Sequence, residues 1–139
     1  MSVLFFMKKN SVDTIIPKDL LYTEDHEWIR IVGNTAYVGI TDFAQKELGG
    51  IIYVKVKTLG KNIKQEQIFG TIEAVNKISD LIMPIAGEII EMNPKLAFNP
   101  QLLNSDPYGE GWIAKIKMNN LFDVEWLLRS NSYSVLISL

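Results

Sequence analysis

From Ile51 onward the chain is a succession of short β-prone runs stopped by glycine, proline or asparagine: "IIYVKV", "EQIFGTIEAV", "ISDLIMPI", "GEIIEM" and "GWIAKIKM". Strands of this length with turn chemistry between them build a small sandwich or barrel. Upstream, "IIPKDLLYTEDHEWIRIV" leads into a strand, and Gly33-Asn34 separates it from "TAYVGI", the pattern of a β-hairpin with a tight turn. Trp28, Arg30 and Val32, then Ala36, Val38 and Ile40, alternate as strand faces do. The segment "TDFAQKELGG" predicts a helix of about two turns near 41–48. Thr41 is its N-cap, Asp42 sits near its positive end, Ala44 and Leu48 stand one turn apart, and Gly49 stops it.

Two stretches break the pattern. "NPKLAFNPQLLNSDPYGEG" holds three of the five prolines and has too little periodicity for a regular element, which predicts a long loop packed through Leu102, Leu103 and Tyr108. "NNLFDVEWLLRSNSYSVLISL" places Leu121, Val124, Leu127 and Leu128 on one helical face behind Asn119 or Asn120 as cap. The reading is one C-terminal amphipathic helix over a sheet edge. Residues 1–16 read as a flexible extension and 17–139 as a single domain. The first apolar run is five residues long and precedes its lysines, the reverse of a secretory signal. The first arginine is Arg30, unlike an Arg-rich transit peptide, so Met7 rather than Met1 is the expected start and a bacterial cytoplasm the expected compartment.

Composition excludes several functions. With 14 basic and 16 acidic residues intermingled, there is no basic stripe to hold phosphates, and nucleic acid is not an expected partner. The chain has no cysteine and one histidine, His26, so thiolate or multi-histidine metal sites and cysteine nucleophiles are ruled out. Any reactive sulfur has to be imported. The apolar runs fall well short of the roughly 18 residues that a membrane span needs, and a soluble protein is expected.

Catalysis finds little support. His26 lies among acidic neighbours in "EDHEW", and no serine stands in a G-x-S-x-G context. "GEG" at Gly109 to Gly111 opens a strand rather than a helix, so it is no phosphate cradle. Glu27, Glu73 and Asp80 could pair for acid-base work or be separate solvated carboxylates. A carrier fits better, because "FGTIEAV" and "ISDLIMPI" would hold the turn at Asn76-Lys77 away from the body, where a lysine amine is open to acylation. The other reading of Lys77 is a polar turn residue.

A family resemblance covers about Pro17 to Val135. It rests on "LYTEDHEWIR", "AYVGITDFAQKELGGIIYVKV", "EAVNKISDLIMPIAGEIIEMN", "LLNSDPYGEGWIAKIK" and a C-terminal helix ending near "SY". In order and with almost no gaps these resemble the H protein of the glycine cleavage system. The resemblance implies a mainly β fold, a lipoyl/biotinyl-type barrel-sandwich hybrid of two small sheets with extra helices. It implies a carrier rather than an enzyme, with lipoate amide-linked to a hairpin lysine. Its arm takes an aminomethyl group from the P protein to the T protein, and the L protein reoxidises the dithiol. A lipoate ligase or lipoyl transferase would load it, and a monomer is expected. Glu27 matches an acidic residue near the pocket for the loaded arm, Glu73 the acidic residue before the attachment turn, and Asp80 the one after it.

The chain departs from the family at one position that matters. The family pattern E-S-V-K-A-x-S-D aligns with "EAVNKISD", which puts Asn76 where the lipoyl lysine belongs and Lys77 one residue later. A one-residue shift turns a strand side chain to the other face. Phe43 and Glu47 also stand where some relatives have histidine. Two expectations follow: a working carrier lipoylated at Lys77, or a non-lipoylated H-like protein that is a binding or regulatory module or a decaying carrier. A biotin carrier is disfavoured, since the turn lacks flanking methionines.

Overall fold

The sequence has 139 residues, and a computed structural model describes residues 13–138 of it. In chain order the elements are β1 (Leu21–Tyr22), β2 (Glu27–Val32), β3 (Thr35–Ile40), α1 (Asp42–Leu48), β4 (Ile51–Val56) and β5 (Asn62–Ile63). Then come β6 (Ile68–Ala74), β7 (Ile78–Ile82), β8 (Gly87–Met92), α2 (Leu102–Ser105), β9 (Ala114–Met118) and α3 (Ser130–Ser138). One sheet has six strands in the order β1-β2-β3-β9-β8-β5, and the second has three in the order β4-β6-β7. The expected mainly β fold with two sheets and flanking helices is therefore present.

Turn chemistry positions the first hairpin. Val32 pairs with Thr35 and leaves Gly33-Asn34 as its two-residue turn. The start of β2 is buried on both faces, with Glu27, Trp28 and Ile29 all inaccessible, so the Trp28-Arg30-Val32 face runs from buried to exposed. Ile29 joins the main core, where Val38, Val54, Phe69, Ile72, Leu81, Ile89 and Ile116 bring the two sheets together. Each such side chain contributes about 1.5–3 kcal/mol by leaving water, which binds the sheets into one unit. Trp28 turns the other way, into a satellite cluster with Leu20, Tyr22 and Tyr133. Its indole covers Gly39, where a Cβ would fall 2.6 Å from the ring, and its Nε1 donates to the Pro107 carbonyl at 2.8 Å.

The structure corrects two expectations. The stretch after β8 contains a 3-10 turn, Pro94–Ala97, and the four-residue α2. Asn93 caps the first by accepting from Lys95 N, and buried Leu96 and Leu103 pull both turns onto the core. The C-terminal stretch is not one helix. Asn120 caps a 3-10 turn, Leu121–Trp126, the chain extends at Leu127, and α3 begins only at Ser130. Leu128 exchanges two 2.8 Å backbone hydrogen bonds with Tyr22, adding a strand-like step to the open edge of β1. Pairing that edge satisfies donors and acceptors that a continuous helix would leave unpaired. Leu121 is consequently exposed while Leu127 is buried.

Of the expected extension, residues 1–12 lie outside the described residues. Ile15 N donates to Asp42 Oδ2 at 3.0 Å, and Tyr108 Oη donates to the Ile15 carbonyl at 2.6 Å. No helix of the described residues is long and apolar enough to cross a membrane.

Candidate functional site: the β6–β7 hairpin and the cleft beside it

α1 begins and ends as its sequence predicts. Thr41 Oγ1 accepts from Ala44 N, and Gly49 closes the helix at φ 77°, a left-handed conformation that favours glycine. Its last carbonyls are then satisfied from two other parts of the chain. Asn104 Nδ2 donates to the Gly49 carbonyl at 2.9 Å and to Gln45 Oε1 at 3.0 Å. The hairpin tip supplies the rest: Asn76 N donates to Leu48 O and Asn76 Nδ2 to Glu47 O, both at 3.2 Å, while Val75 N donates to Gly50 O at 2.9 Å.

In the β6–β7 ladder Glu73 pairs with Ile78, and Ala74 N donates to the Lys77 carbonyl at 3.0 Å. The tip is therefore Val75-Asn76, and Lys77 opens the returning arm. Lys77, Ser79 and Leu81 alternate onto one face, and all three line a cleft of about 180 Å³. His26, Glu27, Phe43, Glu47 and Asp80 line it too. Lys77 is exposed where it lines this cleft. A larger notch of about 330 Å³, between Glu66 and Trp126, contains no residue of the hairpin tip.

The structure brings Glu27, Asp80 and Lys77 together and leaves Glu73 apart, exposed beside Tyr53 and Ile78 and absent from the cleft wall. Glu27 is 2% exposed. Its Oε2 accepts from Ile82 N at 3.2 Å and its Oε1 is 3.4 Å from Thr23 Oγ1, so the buried carboxyl connects β2 to β7. Burial pushes its pKa well above the ordinary value, nearby Asp25 adds to this, and the bonds from Ile82 N and Thr23 oppose it.

His26 went unassigned in the sequence reading, although it belongs to the quoted "HEW". It has φ 65° and its ring lies tilted against Phe43 with centroids 4.8 Å apart. A tight turn holds this left-handed backbone: His26 N donates to Thr23 O at 3.2 Å and the His26 carbonyl accepts from Thr41 N at 3.0 Å. Burial lowers its pKa; Lys77 lowers it further, whereas Asp25 and Glu47 raise it. Glu47 reaches the cleft because α1 packs beside the β6–β7 hairpin.

The site offers a lysine amine at the mouth of a cleft whose walls combine apolar Ile40, Phe43, Leu48 and Leu81 with carboxylates and one imidazole. Among the described residues no cluster of three or more His, Cys, Asp or Glu could hold a metal ion. Two packed sheets presenting one hairpin beside a cleft define a carrier-type β domain. The family described as Glycine cleavage H-protein matches residues 20–138. The chain is 49% identical over 122 residues to the "Glycine cleavage system H protein" of Bacteroides fragilis, covering 88% of this chain and 97% of that protein. It is 52% identical over 124 residues to the protein of that name from Chlorobaculum tepidum, with the same coverage, 88% and 97%. It is similar to the crystal structure of a glycine cleavage system H protein from Mycobacterium marinum, with a TM-score of 0.81 and 33% identity over 89% of this chain and all of that one. The chain belongs to the glycine cleavage H-protein family.

Proposed function

We propose that this protein is the carrier component of a glycine cleavage system, with lipoate in amide linkage on Lys77 Nζ. When bound, that group supplies the dithiol chemistry by which the aminomethyl group of glycine moves from the P protein to the T protein. The carrying observation is that Lys77, the lysine of the hairpin, lines the cleft together with His26, Glu27, Glu47 and Asp80. The group fits what surrounds it: an arm beginning at Lys77 starts at the cleft mouth, and apolar walls exclude water from its chain. The chain supplies position and electrostatics, and the partners supply the catalysis. The exposed Val75 and Ile78 beside the tip give the P, T and L proteins and a lipoate ligase or lipoyl transferase an apolar surface to meet. A cytoplasmic monomer accords with this reading.

One observation favours a second reading, a non-lipoylated module that docks without carrying. The side chain of Asn76, on which the resemblance puts the family's lysine position, is engaged in closing α1. Lys77 stands one step past the tip, just before β7, with its carbonyl accepting from Ala74 N. Intact-mass measurement after coexpression with a lipoate ligase and lipoate separates the two. The carrier reading expects one added lipoyl group, lost in Lys77→Ala. An unmodified parent together with a modified Asn76→Lys variant would establish the second.

A further inference from the structure

Three polar side chains from separate parts of the chain meet at the edge of the cleft. Tyr133 Oη, on α3, lies 2.9 Å from His26 Nδ1 and 2.7 Å from Thr41 Oγ1, and Thr41 Oγ1 also accepts from Ala44 N at 3.2 Å. Tyr133 and Thr41 are both 0% exposed, so bulk water does not complete the set. Tyr133 is absent from the cleft wall that His26 helps to form, so Nδ1 is turned away from the cleft and toward α3.

The protons in this chain have one self-consistent order. Each hydroxyl has a single proton to donate, and a neutral imidazole has one donor and one acceptor nitrogen. Among the described residues, Tyr133 Oη is the acceptor left to the Thr41 hydroxyl proton. If Thr41 donates to Tyr133, Tyr133 must donate to His26 Nδ1, and the ring proton then sits on Nε2. The opposite order sends Nδ1–H to Tyr133 and Tyr133 to Thr41, which strands the Thr41 proton in a buried site.

We infer that Tyr133 and Thr41 are positioning residues that hold His26 in its Nε2–H form, so that the ring presents a hydrogen-bond donor to the cleft beside Lys77. The acceptor it suits is the amide carbonyl created when Lys77 Nζ is acylated, since that oxygen is the strong neutral acceptor of such an arm. The proton order stands on the geometry alone, whereas the acceptor rests on the proposed attachment at Lys77. Burial supports the neutral ring, and acylation would remove the lysine charge that otherwise faces it.

His26 is the one histidine of the chain, so a long-range 1H–15N spectrum of 15N-labelled protein reads a single imidazole. At about pH 8 the parent is expected to show Nε2 protonated and Nδ1 as a hydrogen-bonded acceptor. Tyr133→Phe keeps the ring stacked on Tyr22 but should shift the Nδ1 signal to that of a free acceptor, while Thr41→Ser should keep the parental spectrum. An Nδ1–H tautomer in the parent, or an Nδ1 signal unmoved in Tyr133→Phe that is folded by circular dichroism, would overturn the inference. Lipoylation at Lys77 should move the Nε2–H resonance. A modified protein with an unmoved resonance removes the acceptor assignment, and a protein that takes no lipoyl group removes the attachment while leaving the tautomer result intact.

Discussion

Glu27 accepts two hydrogen bonds in a site closed to solvent, and among the described residues no ion pair reaches it. A carboxyl raised by burial holds its proton in the fold at pH values where the unfolded chain has lost it. The native state therefore binds the extra proton, and stability falls as pH rises from the ordinary value of 4.5 through the folded value. His26 acts oppositely: its lowered pKa makes the unfolded chain the better proton binder, so stability falls as pH drops below the ordinary 6.5. Glu27→Gln keeps an acceptor for Ile82 N and removes the titration. At about pH 8 it should be more stable than the parent, because ionisation of the carboxyl favours the unfolded parent there and has no counterpart in the variant. The gap should close toward about pH 4 in urea titrations run across pH. A gap independent of pH would mean that Glu27 does not titrate abnormally.

At the scale of elements, α1 and the β6–β7 hairpin stabilise one another through a shared terminus. The helix leaves carbonyls without partners, and Asn76 brings its backbone and side-chain N–H groups to two of them, Leu48 O and Glu47 O. Asn76→Ala removes the bond to Glu47 O and should cost about 0.5–1 kcal/mol, the usual net worth of one such bond. Faster amide exchange at Val75 N, with Ile72 N unchanged, would locate the loss at the tip; uniform acceleration would contradict it. The same contact gives Asn76 a structural role at the tip, since its short amide reaches the helix end. Lys77, on the alternate face, is the side chain that remains free to face the cleft.

At the scale of the molecule, a core drawing on both sheets predicts one cooperative transition. The satellite cluster around Trp28 and Tyr133 joins α3 to β1 and β2, so tryptophan fluorescence and far-UV circular dichroism should report the same denaturant midpoint. Separate midpoints would mean that α3 and its cluster unfold on their own. That outcome would also loosen Tyr133 from His26, and with it the order of protons at the cleft.

Local chemistry made much of this legible. Gly33-Asn34, Thr41 and Gly49 set turn, cap and stop from their own neighbours, and the runs from Ile51 onward became strands because branched side chains and frequent turns allow little else. Glu27, Asp80 and Lys77 were named from the motif, and Glu73 was named with them though it faces away from the cleft. Other features had no local signal. β1 and β5 are two residues each and exist only because a neighbour pairs them. Leu127 and Leu128 kept a helical pattern, yet the chain extended there because the open edge of β1 offered backbone partners. The sequence by itself determined the longer strands and the hairpin carrying Asn76 and Lys77, because propensity and spacing are properties of neighbours. Only the tertiary structure decided that Lys77 faces the cleft, that Asn76 closes a helix, and that Tyr133 meets His26 across 107 residues, because such contacts form when distant segments share one core.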